Sequence, residues 1–235
     1  MSIMCELFKS TGRTPCSPGS QRVKRCPLIF NPDSEDLLTG AVFGHLKLLG
    51  SALWLPPILE IAYRPRKFNC LDHGQIKLEC WKKIPANALN SAWSEFDVCI
   101  SIPPIKIIIE CKYLAPLDED QIGRYLDLIA FHYYQKHCED TYLLLLTNDK
   151  TEPDILKKYR DTQHIRAKIN ELRPFVNYDR LCTNLARNVS WLNWQHIQHI
   201  IESIPADNLH YSERAIIDDL KKYFVKKLGR ANAQK

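Results

Sequence analysis

The chain has 235 residues, 45% of them hydrophobic and 25% charged, which is the balance of a folded globular protein with room for one substantial core and an elaboration. Its formal net charge of +5 suits a polyanionic partner without requiring one. Nine cysteines stand without a C-x-x-C pair, so neither a zinc site nor a disulfide framework is signalled and a reducing, cytoplasmic setting is expected; no apolar run reaches the ~20 residues of a membrane span.

Residues 1–30 carry Lys9, Arg13, Arg22, Lys24 and Arg25 among Ser, Thr, Pro and Gly, with no apolar stretch of the secretory kind, and read as a loose basic tail. Order begins at Asn31, where Asn-Pro-Asp-Ser-Glu-Asp supplies a helix start and Leu38, Val42, Leu46 and Leu49 recur at helical spacing up to Gly50. Leu59–Tyr63 and Ile76–Trp81 alternate in short segments and predict a strand or hairpin. Two further strands are expected over Glu95–Ile100 and Lys106–Lys112, the second nearly continuous in isoleucine, as in a strand covered on both faces at the middle of a sheet. A helix over Gln121–His137 and a buried strand over Thr141–Thr147 follow.

From Glu152 the pattern turns helical, with helices expected over Asp154–Leu172, Trp194–Ile204 and Ser212–Leu228, the last carrying an Ile216, Leu220, Phe224 stripe. The organisation expected is a tail over 1–30, a core over 31–150 and a helical extension over 151–235 packed on the core or on a partner. Trp191 and Trp194 are assigned to core packing rather than to stacking on bases. Lys221, Lys222, Lys226 and Lys227 are assigned to a solvated face, and His45, His132 and His137 to surface or packing positions.

Chemistry concentrates on two strands. Side chains alternate along a strand, so Glu110 and Lys112 project together, as do Glu95 and Asp97 on the strand before. Asp97 stands thirteen positions before Glu110, a separation that suits adjacent strands joined by a turn. Close buried carboxylates repel, and a divalent cation between them is the simplest relief, with hard oxygen ligands favouring Mg²⁺ or Mn²⁺. Glu35 lies on the apolar stripe of the first helix and adds a further carboxylate, while Gln121 and Tyr125, four apart, share a helix face that can line the cleft.

Asp97 followed by Glu110-Cys111-Lys112 on a hydrophobic strand resembles the signature of the PD-(D/E)xK nucleases, and the order α-β-β-β-α-β is that superfamily's common core. Gln121-Ile-Gly-Arg-Tyr125 is similar to the Q-x-x-x-Y motif of one branch, in which an acid placed like Glu35 is linked to the metal. The likeness spans Asn31 to Thr147 and departs from the pattern in showing Phe96-Asp97 for the usual Pro-Asp, which leaves Glu95 and Asp97 both open as the first ligand, with Asp97 preferred. It implies an α/β fold with a restriction-endonuclease-like core, a central mixed sheet flanked by helices and a helical C-terminal elaboration. It also implies Mg²⁺, with Mn²⁺ as a substitute, held by Asp97, Glu110 and Glu35; catalysis by Lys112 with Glu35 and Gln121; and nucleic acid met by Lys112 and Tyr125. The implied substrate is DNA more often than RNA, in defence against foreign DNA or in repair or transposition, with a protein partner or a homo-oligomer directing the enzyme. A competing reading keeps the fold without the catalysis, as a nucleic-acid-binding or assembly subunit; the intact Asp97, Glu110 and Lys112 set favours the nuclease.

Overall fold

The computed structural model describes residues 34–66, 68, 71–85, 93–130, 140–172, 179–207 and 209–233. The tail over 1–30, His132 and His137 lie outside the described residues. The elements, in chain order, are α1 (Glu35–Leu46), α2 (Ser51–Ala62), a short 3₁₀ turn (His73–Gln75), β1 (Lys77–Pro85), β2 (Trp93–Ile102), β3 (Ile105–Cys111), α3 (Glu119–Ile129), β4 (Asp140–Thr147), α4 (Asp154–Lys158), α5 (Thr162–Leu172), α6 (Asp179–Asn188), β5 (Val189–Asn193), α7 (Trp194–Ser203) and α8 (Tyr211–Ala233).

The five strands form one mixed sheet in the order β1-β2-β3-β4-β5. β1, β2 and β3 pair antiparallel; β3, β4 and β5 pair parallel. β3 is therefore the central strand, as its isoleucine run predicts: Ile107, Ile108 and Ile109 are all buried. Its alternate residues feed two separate cores. Ile107, Ile109 and Cys111 join Tyr142, Leu144 and Leu146 of β4 beneath α1, α2, α7 and α8. Ile108 joins Leu143 and Leu145 beneath α3, α5 and α6 on the other face. The chain is thus an α/β protein with helices on both faces of its sheet.

Three expectations change. Leu59–Ala62 belongs not to a strand but to α2, with Tyr63 as its C-cap, and Trp54, Leu55, Ile58 and Leu59 of that helix are buried at helical spacing. Pro56 and Pro57 sit inside that helix, and Ala52 and Leu53, whose carbonyls lose their intrahelical partners, are exposed and half-exposed. Asp154–Leu172 is two helices, α4 and α5, divided around Tyr159. The segment after Glu152 is also not wholly helical, because β5 adds a strand to the sheet beside β4. The helices after it cover the first core directly: Trp194, Ile197 and Ile201 of α7 and Ile217, Leu220, Phe224 and Leu228 of α8 are all buried there. Among the described residues no helix is long and apolar enough to cross a membrane.

Candidate active site

The β2–β3 ladder runs from Ile102↔Ile105 to Val98↔Ile109 and pairs no further. Beyond that point the Cys111 N–H donates to Asp97 Oδ2 at 2.7 Å instead of to β2 backbone. On the opposite side β3 stays tied to β4 for another step, the Lys112 N–H donating to the Leu146 carbonyl at 2.7 Å. The site lies where one neighbour of the central strand parts from it and the other does not. On β1, Trp81 is skipped in the pairing with β2, as Asp97 is on the other strand, and it has φ at 51°, a left-handed backbone that a bulky residue adopts only under constraint.

Glu110 is 1% exposed and its carboxylate is fully engaged. Oε1 accepts from Lys112 Nζ at 2.6 Å and from Gln121 Nε2 at 2.5 Å, and Oε2 accepts from the Tyr125 hydroxyl at 2.6 Å. The two α3 donors reach together because positions four apart share a helix face. The helix itself starts at Asp118, whose side chain accepts from the Asp120 N–H at 3.0 Å, and is fastened by Ile122, Leu126 and Ile129 in the second core.

Lys112 bridges two acids, its Nζ standing 3.2 Å from Glu35 Oε1 as well as on Glu110. The other Glu35 oxygen, Oε2, accepts from the Tyr113 N–H at 3.0 Å. Glu35 comes from the first turn of α1, on one face of the sheet, and Gln121 and Tyr125 from α3 on the other. The carboxyl end of β3 thus gathers side chains from both helix layers, the place where open α/β sheets commonly hold ligands.

Burial, and next the charge of Glu110, push the Asp97 carboxyl well above the usual aspartate range, against the pull of the Cys111 N–H and Lys112. Burial also raises Glu35, against the pull of Lys112 and the Tyr113 N–H. Burial alone would lower Lys112, but Glu110 and Glu35 outweigh it and hold the ammonium charged. Tyr125 is raised by burial and then by Glu110, so its phenol stays a donor. Three carboxylates therefore meet one ammonium, and the Asp97–Glu110 pair needs a proton or a cation.

The structure brings Glu35, Asp97, Glu110, Lys112, Gln121 and Tyr125 together. Glu95 stays outside, its carboxylate 3.8 Å from Lys83 on the surface, which separates it from Asp97. Tyr125, expected to meet nucleic acid, has a buried ring and a hydroxyl turned onto Glu110, so it orients that carboxylate. Glu35 has both oxygens on Lys112 and Tyr113 rather than facing Asp97 and Glu110. Among the described residues no group of three or more His, Cys, Asp or Glu side chains is arranged to hold a metal ion as it stands. The adjoining Asp97 and Glu110 fit the smaller requirement of magnesium, which binds through one or two carboxylates and keeps water or phosphate oxygens elsewhere.

Two residues near the site carry no signal in the local sequence. The Trp194 indole N–H donates to the Lys112 carbonyl at 3.1 Å, across 82 positions of chain. Lys227, assigned from its basic neighbours to a solvated face, is 5% exposed; its carbonyl accepts from the Tyr113 hydroxyl at 2.9 Å and its Nζ lies 4.8 Å from the centre of that ring. Only contacts made by the folded chain reveal them. Comparison with known proteins gives no matching family model, no matching curated protein and no matching solved structure.

Proposed function

We propose that the chain is a metal-dependent nuclease of the PD-(D/E)xK type, with a restriction-endonuclease-like core and DNA as substrate. One observation carries the reading: at the open end of the β2–β3 ladder the half-buried Asp97 adjoins the buried Glu110, with the Lys112 ammonium 2.6 Å from Glu110. A structural ion pair would leave one acid against one base. Here a second, half-buried acid stands beside the pair, an arrangement that costs stability in the metal-free protein and gains its use with a cation.

Asp97 and Glu110 would hold Mg²⁺ or Mn²⁺, which when bound polarises the scissile phosphate and acidifies a water molecule. The chain's own side chains do the rest. Lys112 carries the positive charge that faces a phosphodiester oxygen as negative charge builds on it. Gln121 and Tyr125 fix the Glu110 carboxylate so that it does not reorganise during the reaction. Glu35 holds the lysine from the far side and leaves it able to shift between two carboxylates and an incoming phosphate.

The test is cleavage of supercoiled plasmid by purified protein with Mg²⁺, Mn²⁺ or EDTA, beside Glu110→Gln and Lys112→Ala. The expected outcome is metal-dependent nicking that both variants lose while keeping a folded circular-dichroism spectrum. Nicking that persists unchanged in both variants removes the proposal.

A further inference from the structure

The peptide unit between Lys112 and Tyr113 is gripped at both ends. Its carbonyl accepts from the Trp194 indole N–H at 3.1 Å, and its N–H donates to Glu35 Oε2 at 3.0 Å. A peptide is planar, so its two ends turn together: the indole that fixes the carbonyl also fixes the direction in which the N–H meets Glu35. The other Glu35 oxygen stands 3.2 Å from Lys112 Nζ. The Lys112–Tyr113 peptide, Glu35 and the ammonium of the same lysine close a ring, and Trp194 holds that ring at its carbonyl.

Trp194 is itself held. It is fully buried, packs edge-on against Phe43 with ring centres 6.4 Å apart, and opens α7 next to the capping box of Asn193 and His196. Filling the core requires the ring but not its N–H. That N–H meets the carbonyl of the residue that carries the site's ammonium.

We infer that Trp194 is a positioning residue for the proposed reaction, acting through the Lys112–Tyr113 peptide to set both Lys112 and Glu35. The inference rests on the nuclease reading above. It gives the segment after Glu152 a direct part in the site, since β5 and α7 deliver the indole.

Two variants of the full chain test it: Trp194→Phe, and a Trp194 replacement by its benzothienyl analogue, which keeps the ring shape and lacks the N–H. The second serves if the first is too unstable to purify. The readouts are single-turnover and steady-state plasmid cleavage with Mg²⁺, and exchange of the Tyr113 amide proton followed by NMR without metal. Expected are a kcat about tenfold lower with KM little changed, and a Tyr113 amide that exchanges about tenfold faster. Wild-type kcat in the benzothienyl variant overturns the positioning role, as does a loss confined to KM. Glu110→Gln is run alongside: if it cleaves like wild type the nuclease reading fails and takes the positioning role with it, whereas full activity in the Trp194 variants beside a dead Glu110→Gln refutes the positioning role alone.

Discussion

Tyr125→Phe removes one oxygen and little else. The ring keeps its edge-on contact with Phe96, centres 4.9 Å apart, so the change isolates the hydroxyl that donates to Glu110 Oε2 at 2.6 Å. The acceptor is a carboxylate in a residue 1% exposed, and a hydrogen bond to a charged group contributes about 1.5–3 kcal/mol net. For a chain of this size each kcal/mol moves Tm by about 2–4 °C, giving a drop of roughly 3–12 °C. If the bond also orients Glu110 during cleavage, the same energy lowers kcat/KM by about 10- to 150-fold. Thermal unfolding in EDTA reads the first number and plasmid nicking with Mg²⁺ the second. A Tm within about 1 °C of wild type would refute the claim that this hydroxyl holds the carboxylate, and a Tm drop with unchanged nicking would confine the bond to stability.

Asp97→Asn should separate stability from chemistry. Burial and Glu110 raise the folded Asp97 carboxyl above its unfolded value, so the stability it contributes is complete below about pH 4 and is lost as pH rises through the folded value. The metal-free variant should therefore outlast wild type in urea at pH 8, with the advantage shrinking toward pH 4, and should no longer cleave; a wild type that gains on the variant as pH rises contradicts this. Ending the chain after Asp207 removes Ile217, Leu220, Phe224 and Leu228, each no more than 4% exposed. At about 1.5–3 kcal/mol per side chain the loss is roughly 6–12 kcal/mol, comparable to the whole stability of a domain. Circular dichroism should show no cooperative unfolding; a soluble, cooperatively folding fragment would mean α8 is dispensable.

The central strand was legible because its message is local: three consecutive isoleucines read as a strand buried on both faces, and the Glu110–Lys112 spacing placed an acid and a base at its end. The helix pair Gln121 and Tyr125 was legible for the same reason. Pro56 and Pro57 hid α2, since two prolines argue against a helix interior more strongly than four buried apolar positions argue for one. β5 was hidden by its length, five residues between two helices, with Asn193 both ending the strand and capping α7. Periodicity tells which face a residue occupies and not which distant group it meets. It therefore put Glu35 toward the site without revealing that its partners are Lys112 and the Tyr113 amide.

The reason the site forms where it does lies in the backbone. β3 is antiparallel to β2 and parallel to β4, and only the parallel partner continues past Cys111. Where β2 parts, the Cys111 N–H and the Tyr113 N–H would be left without partners on one side of β3, and past the last bond to β4 the Lys112 carbonyl on the other, in a largely buried setting, a heavy cost for each. Three side chains take them: Asp97, Trp194 and Glu35. The groups that orient the site are thus the ones that complete the backbone hydrogen bonding of the parted strand. It follows that replacements which keep an acceptor and replacements which lose it should differ at a single position. Asp97→Asn retains an oxygen for the Cys111 N–H and should lose cleavage alone, whereas Asp97→Leu strands that N–H and should lose cleavage together with about 1–3 kcal/mol of stability. Equal stability of the two variants in urea would show that the Asp97 carboxylate does not substitute for the missing ladder.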